Sequence, residues 1–439
     1  MASLPGFDPS AWLSFVTVGG GLLIHITLVN LVLGMSVIVP MTEYLAYRRK
    51  DPELRLLAKK LFRFLIIADL IAGTFGTWVA ISLTAFFPKL LYIFSTVLLI
   101  PVLLAIIGIV MAVPSIAFYW YAWERVSART HMIAGAIMAI GALIVPAGFR
   151  VLFAFVDDPT GFNISSLSGP TGNVSTNFAS LFGNPIYVTL LFHSWFGGLT
   201  MSALFAAGVY GWHYNTQAKK VKTAAPAQGE MTSNLERDGG REVEGTGAKL
   251  NSREAHYIEM IRNYNYTKYL LKIGLIFLTI QSAIGIIYYF VLAKYSPYIF
   301  AAITGNMSVA GYNFELVFVP FISLVVVIWI TTLILQFQVR SRRGVKGTPK
   351  VSRLAAFFLA FSTFTALPLG EASNDASRAP YMLITGTSGV SANNFSNTEI
   401  PLTWTYSYYL ATLAFVAIAV FLATVYFVFV KRHKESPRP

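Results

Sequence analysis

The chain has 439 residues, 55% of them apolar and 12% charged, with a mean hydropathy of +0.61. That balance excludes a soluble multidomain enzyme and places the chain among polytopic membrane bundles. The net charge of +13 falls in short clusters between apolar spans, which sets membrane orientation and argues against nucleic acid; the absence of cysteine excludes disulfides, thiolate-held metals and iron–sulfur clusters.

Nine spans are expected, at about 13–46, 61–87, 90–122, 131–156, 184–213, 267–294, 312–339, 353–371 and 403–430. They form one all-α membrane domain, with helices 1–5 in residues 1–215, a loop at 216–255 and helices 6–9 in 256–439. The first apolar run is long enough to stay in the membrane, so no cleaved signal is expected. YRRKDPELRLLAKKLFR follows the first span, WERVSARTH the third, HYNTQAKKVK the fifth and RSRRGVKGTPKVSR the seventh; KRHKESPRP ends the chain. All fall on one side if the N-terminus is outside, and that side is then cytoplasmic, with the C-terminus. The opposite loops are rich in Ser, Thr, Asn and Gly and carry glycosylation sequons at Asn163, Asn173, Asn306 and Asn394. Asn265 forms a fifth, on the inner side. The Ala/Gly/Glu/Lys-rich stretch from Thr216 to Ser252 has no periodicity and reads as a disordered cytoplasmic insert.

Few ionisable residues lie inside the spans, so each is informative. The fifth span, from Asn184 to Trp212, carries His193 with Gly197 one turn on, on the same helix face. A flat macrocycle fits beside such a glycine; a histidine hydrogen-bonded to a neighbouring helix is the equal alternative. His25 follows Gly19, Gly20 and Gly21 in the first span, and both histidines count to the outer half of the bilayer. Two histidines at similar depth suit haem, though unrelated polar contacts would leave the same trace. His131, His213, His256 and His433 fall at or beyond inner helix ends, where solvated histidines are expected. Asp69 is a buried carboxylate able to carry a proton or to bond a neighbouring helix. Glu43 reads as interfacial. Arg150 suits haem propionates, with Asp157 or Asp158 as the alternative partner.

In their order, these residues resemble subunit I of the cytochrome bd quinol oxidases. The likeness runs through His25, Glu43 and DPELRLLAKK, then Trp123-Glu124-Arg125-Val126-Ser127 with His131, then Asp157-Asp158-Pro159-Thr160-Gly161. It continues through Asn184-Pro185, His193 and Ala207-Gly208-Val209 with Trp212. It covers most of the chain. The resemblance implies that His193 ligates a low-spin haem b and His25 a high-spin haem. Asp375-Ala376-Ser377-Arg378-Ala379-Pro380-Tyr381 echoes the family's E-x-G-R-x-P-W, so Asp375 stands where a glutamate binds the other high-spin haem and Arg378 where an arginine supports it.

Several chemical positions depart from the family. Two glutamates of helix three correspond to Leu104 and Ala112. In the quinol-binding Q-P-x-K-x-A-A-x-E-G frame, the lysine is Ile299 and the glutamate Thr304. The seventh span lacks the haem-ligating methionine, leaving Met307 as a stand-in. Aliphatic groups neither carry protons nor bind a quinol headgroup. The resemblance therefore implies a subunit of a bd-type terminal oxidase, which couples quinol oxidation to reduction of dioxygen to water. Its expected cofactors are haem b and haem d, in this chain or its partner. The role expected here is that of a partner with a degenerate quinol site, paired in a heterodimer with a subunit of type I or II. One alternative is a competent subunit I in which Asp69, Glu315 or Asp375 replaces the lost groups; another is a haem-free transporter or membrane anchor.

Overall fold

The computed structural model describes residues 15–87, 90, 97–160, 177–224, 252–309, 313–341, 350–378, 381–391 and 395. After one wide turn of π type at Phe15–Gly20, the chain runs through α1 (Gly21–Arg49), α2 (Pro52–Phe86), α3 (Leu99–Ala122) and α4 (Ala128–Asp157). A short α5 (Phe178–Phe182) precedes α6 (Pro185–Thr223) and α7 (Ser252–Tyr295). Then come a short α8 (Pro297–Ile303), α9 (Glu315–Arg340), α10 (Arg353–Ala376) and a hairpin of β1 (Tyr381–Thr385) and β2 (Ser388–Ser391). Eight of these helices are long and apolar enough to cross a membrane: α1 to α4, α6, α7, α9 and α10. They match the first eight expected spans. The ninth, 403–430, lies outside the described residues, as do Asn163, Asn173, Asn394 and His433.

The helix starts follow from local chemistry. Asp51 accepts hydrogen bonds from the backbone N–H groups of Glu53 and Leu54 at 3.0 and 3.1 Å, with Pro52 at the first helical position. Asn184 does the same for Ile186 at 2.8 Å ahead of Pro185, and Ser127 and Ser352 cap α4 and α10. The α1–α2 turn closes through Lys50 in the left-handed region, at φ 53°. At 44 residues α7 is about 66 Å long, well beyond the roughly 30 Å of hydrocarbon. Its first turns therefore stand out at the basic end. The extended ends of α6 and α7 also take up residues 216–223 and 252–255 of the expected loop, and the rest of that loop lies outside the described residues.

Between helices in lipid there is little hydrophobic drive, so small residues that admit close backbone packing carry the association. At the crossing of α1 and α6, a Cβ on Gly34 would lie 2.1 Å from the carbonyl oxygen of Gly198. Between α3 and α4, a Cβ on Gly141 would lie 2.7 Å from the backbone nitrogen of Ala112. The main core cluster joins all eight membrane-length helices around Met35, Phe62, Tyr119, Met138, Ala203, Leu270, Leu335 and Leu359. The outward face of α3 shows Leu103, Ile107 and Val110, as a lipid- or subunit-facing helix does. At the end opposite the basic clusters, here the neutral end, α8 and the hairpin cover the bundle; the N–H of Tyr298 donates to the carbonyl of Gly386 at 3.3 Å.

Gly34→Leu should remove the α1–α6 crossing by overpacking, at about 3 kcal/mol. Thermal denaturation of the purified protein in detergent checks this: a melting temperature equal to the parent's would contradict it.

Candidate functional site at the neutral end

Four helices bring polar groups together inside the neutral half of the bundle. From α6, His193 faces α7: its Nδ1 and Nε2 lie 3.0 and 3.2 Å from Nε2 of Gln281, and its ring centroid is 5.6 Å from that of Tyr288. Gly197 and Gly285 make room for this contact. A Cβ on Gly197 would meet the Gln281 amide at 3.3 Å, and one on Gly285 the imidazole at 3.6 Å. Oε1 of Gln281 is buried without a hydrogen-bond partner among the described residues. With the amide turned, that oxygen meets a ring N–H and leaves the other ring nitrogen its lone pair.

Beside this pair, α4 and α10 exchange charges. The Arg150 guanidinium, which is buried, donates to the part-buried Glu371 at 2.9 and 3.5 Å. Arg378 donates to Asp157 at 2.7 Å and lies 3.2 Å from Asp375. Burial opposes the charge on Arg378, and Asp157 with Asp375 outweigh it, so its pKa lies above the ordinary arginine value. Tyr288 donates to Asn374 at 3.3 Å and ties α7 to the same cluster. Arg150 thus pairs with neither Asp157 nor Asp158, the sequence-based alternatives. Glu371, Gln281 and Tyr288 join the cluster without a motif in the sequence to mark them. A glutamate near the end of the span 353–371 was the available signal for the first; nothing in the sequence distinguished the other two from ordinary helix residues.

His25 lies apart from this cluster, on α1 against α2. Its Nδ1 donates to the carbonyl of Ala72 at 2.8 Å, and a Cβ on Gly76 would lie 2.6 Å from its Cε1. By helical rise from the Gly34–Gly198 crossing, His25 and His193 lie about 13 and 8 Å toward the neutral end. They share that half of the bundle, offset by about 6 Å.

The remaining candidates scatter. Asp69 is half-buried on α2, and among the described residues it makes no hydrogen bond or ion pair. Met307 packs on the satellite apolar cluster around α8, and Glu315 is exposed at the start of α9. Ala112 is buried against Gly141, so the family's glutamate position serves helix packing here. Ile299 is fully buried in the α8 cluster, and the hydroxyl of Thr304 donates to the carbonyl of Phe300 at 2.7 Å. His213 is exposed, as expected, but His131 is not solvated: only 4% of its surface is exposed, and it is bonded to an equally buried Glu43. The solvated reading of His131 and the interfacial reading of Glu43 are both corrected, because Tyr119 of α3 and His131 of α4 close over Glu43 at the basic end of α1.

The sequence profile described as cytochrome bd terminal oxidase subunit I matches residues 13–232, just over half of the chain. The chain belongs to that family. Its fold agrees with the structure of bd oxidase from Geobacillus thermodenitrificans: the TM-score is 0.71 at 16% identity, over 98% of this chain and 100% of the other. No curated protein matches the chain. The protein is therefore an integral membrane subunit of the bd-type terminal oxidase family, whose members bind haem and use quinol.

The residues present fit haem only in part. A ring N–H held by a backbone carbonyl, leaving Nε2 for iron, is the usual arrangement of a ligating histidine, and His25 has it. His193 differs, because both of its ring nitrogens face the Gln281 amide, which must turn aside for either to reach iron. The arginines fit poorly: Arg150 and Arg378 are already paired with Glu371 and Asp157, and the buried Nε of Arg378 has no hydrogen-bond partner among the described residues. Asp375 lies 3.2 Å from Arg378, which competes with any iron for its carboxylate.

Arg150→Gln should leave Glu371 part-buried and unpaired, at about 3–5 kcal/mol, and Arg150→Gln with Glu371→Gln should recover most of that loss. A double-mutant cycle on melting temperature checks the coupling, and additive losses would contradict the pair.

Proposed function

We propose that this chain is the supporting subunit of a heterodimeric bd-type quinol:oxygen oxidoreductase, with quinol oxidation and oxygen reduction carried mainly by its partner. In the complex, two quinols would supply four electrons and four protons to one dioxygen, giving two waters. The observation that carries this reading is the neutral-end cluster, in which carboxylates of the chain occupy both arginines that would otherwise receive an anionic cofactor edge. The buried Ala112 and Ile299 support it, since helix packing takes the places of proton- and quinol-binding groups.

Haem, when bound, supplies one-electron transfer; His25 and His193 are the side chains of this chain that would hold it. Ala72 and Gln281 orient their rings, and Tyr288 closes the space beside His193. Asp69, Asp375, Arg378 and Met307 are secondary candidates. The basic clusters support an orientation in the plasma membrane with the N-terminus outside and the C-terminus in the cytoplasm. Asn306, exposed at the neutral end, is then open to glycosylation.

Purification of the chain alone and of its native complex, each followed by a pyridine haemochrome assay, tests the reading. The complex should contain haem, the isolated chain less than the full family set, and His25→Ala and His193→Ala should each lower what it holds. The full haem set on the isolated chain would contradict the supporting role. Absence of haem from the whole complex would remove the oxidase assignment.

A further inference from the structure

The basic end holds a second buried polar unit, which the haem reading does not use. Nδ1 of His131 lies 2.9 Å from both carboxylate oxygens of Glu43, and its Nε2 lies 2.9 Å from the carbonyl oxygen of Tyr119. The Tyr119 hydroxyl donates to Glu43, and its ring stacks on the imidazole at 3.9 Å between centroids. Trp123 meets the other side of the imidazole edge-on at 4.9 Å. Glu43 and His131 are 8% and 4% exposed.

These contacts fix a proton count. A carbonyl only accepts, so Nε2 carries hydrogen. Nδ1 faces a carboxylate that, when ionised, also only accepts. Either the ring is doubly protonated, or the carboxyl keeps its proton and donates it to Nδ1. In both states one proton lies between the two groups. Without it, a nitrogen lone pair would face a carboxylate oxygen in a dry setting.

The unit is not sealed. A cavity of about 700 Å³ opens from it toward the basic end, with Glu43, Trp123 and His131 in its lining. The other charged groups lining the cavity are Arg48 from α1, Lys50 and Asp51 from the turn, Arg55 from α2 and Glu124 after α3, while α4 adds only His131 among titratable groups. Two of the acids are engaged elsewhere, Asp51 in capping α2 and Glu124 with Lys59 at 3.1 Å. On the α7 side the titratable group is Tyr269, bonded to Thr42 at 3.1 Å. Arg48, Lys50 and Arg55 thus line the approach from water to the Glu43–His131 pair.

We propose that Glu43, His131 and Tyr119 form a proton-exchange site, which takes one proton from water at the basic end and holds it between carboxylate and imidazole. This rests on the proposed function: oxygen reduction in the complex consumes protons, and this site offers one entry for them without the helix-three glutamates. The geometry stands whether or not this chain binds haem.

The test is infrared difference spectroscopy of the purified complex in lipid nanodiscs, stepped between about pH 5 and 9 and then transferred to heavy water. The expected result is a carboxyl and imidazole band pair that changes with pH and exchanges promptly, and that is absent from Glu43→Gln and His131→Gln. Val126→Trp, placed in the cavity lining, should slow the exchange about tenfold and leave the bands in place. Tyr119→Phe removes a donor to the carboxylate and should move the band's pH midpoint upward, which keeps the proposal testable if the other variants fail to accumulate. No pH-dependent band assignable to Glu43, exchange equally slow in the parent and Val126→Trp, or an unmoved midpoint in Tyr119→Phe would overturn it.

Discussion

A charge inside a membrane bundle persists only where an opposite charge or a full set of hydrogen bonds is held against it. At the neutral end that requirement is met within the chain: Arg150 takes Glu371, and Arg378 takes Asp157. Because each pair joins α4 to the α10 region, the ions also fix how those helices sit. The packing of α6 and α7 against them then places His193, Gln281 and Tyr288 beside the same cluster. The chemistry open to this end is set by how few of its charges remain free.

The same constraint separates the two ends. The neutral end neutralises itself with ion pairs and is covered by α8 and the hairpin. The basic end holds its buried carboxylate through a histidine and a tyrosine and stays open through a cavity. One end suits a cofactor only at its histidines, and the other suits exchange with water. Both depend on glycine-mediated crossings such as Gly34 with Gly198, which let helices carrying polar groups approach closely enough to satisfy them.

Much of the fold was legible because hydrocarbon imposes a long apolar period and leaves basic residues between spans. All eight membrane-length helices among the described residues fall on expected spans, and Asp51, Ser127, Asn184 and Ser352 stand at their starts as capping residues do. The family was legible too, from ordered pieces such as His25, the DPELRLLAKK run and Trp123-Glu124-Arg125. Partners across helices were not. The choice of Glu371 over Asp157 for Arg150 depends on helix rotation, which a linear pattern does not encode. The solvated reading of His131 missed in the same way, since the ring turns inward to Glu43 where its position at a helix end suggested water. Helices longer than the bilayer, α6 and α7, also blurred where the membrane ends and the loops begin.

The account rests on the arginines of the neutral end being taken by the chain's own carboxylates. A density map of the native complex at side-chain resolution measures this most directly. The account predicts Arg150 against Glu371 and Arg378 against Asp157. Either guanidinium found on a haem propionate, with its carboxylate turned away, would contradict it.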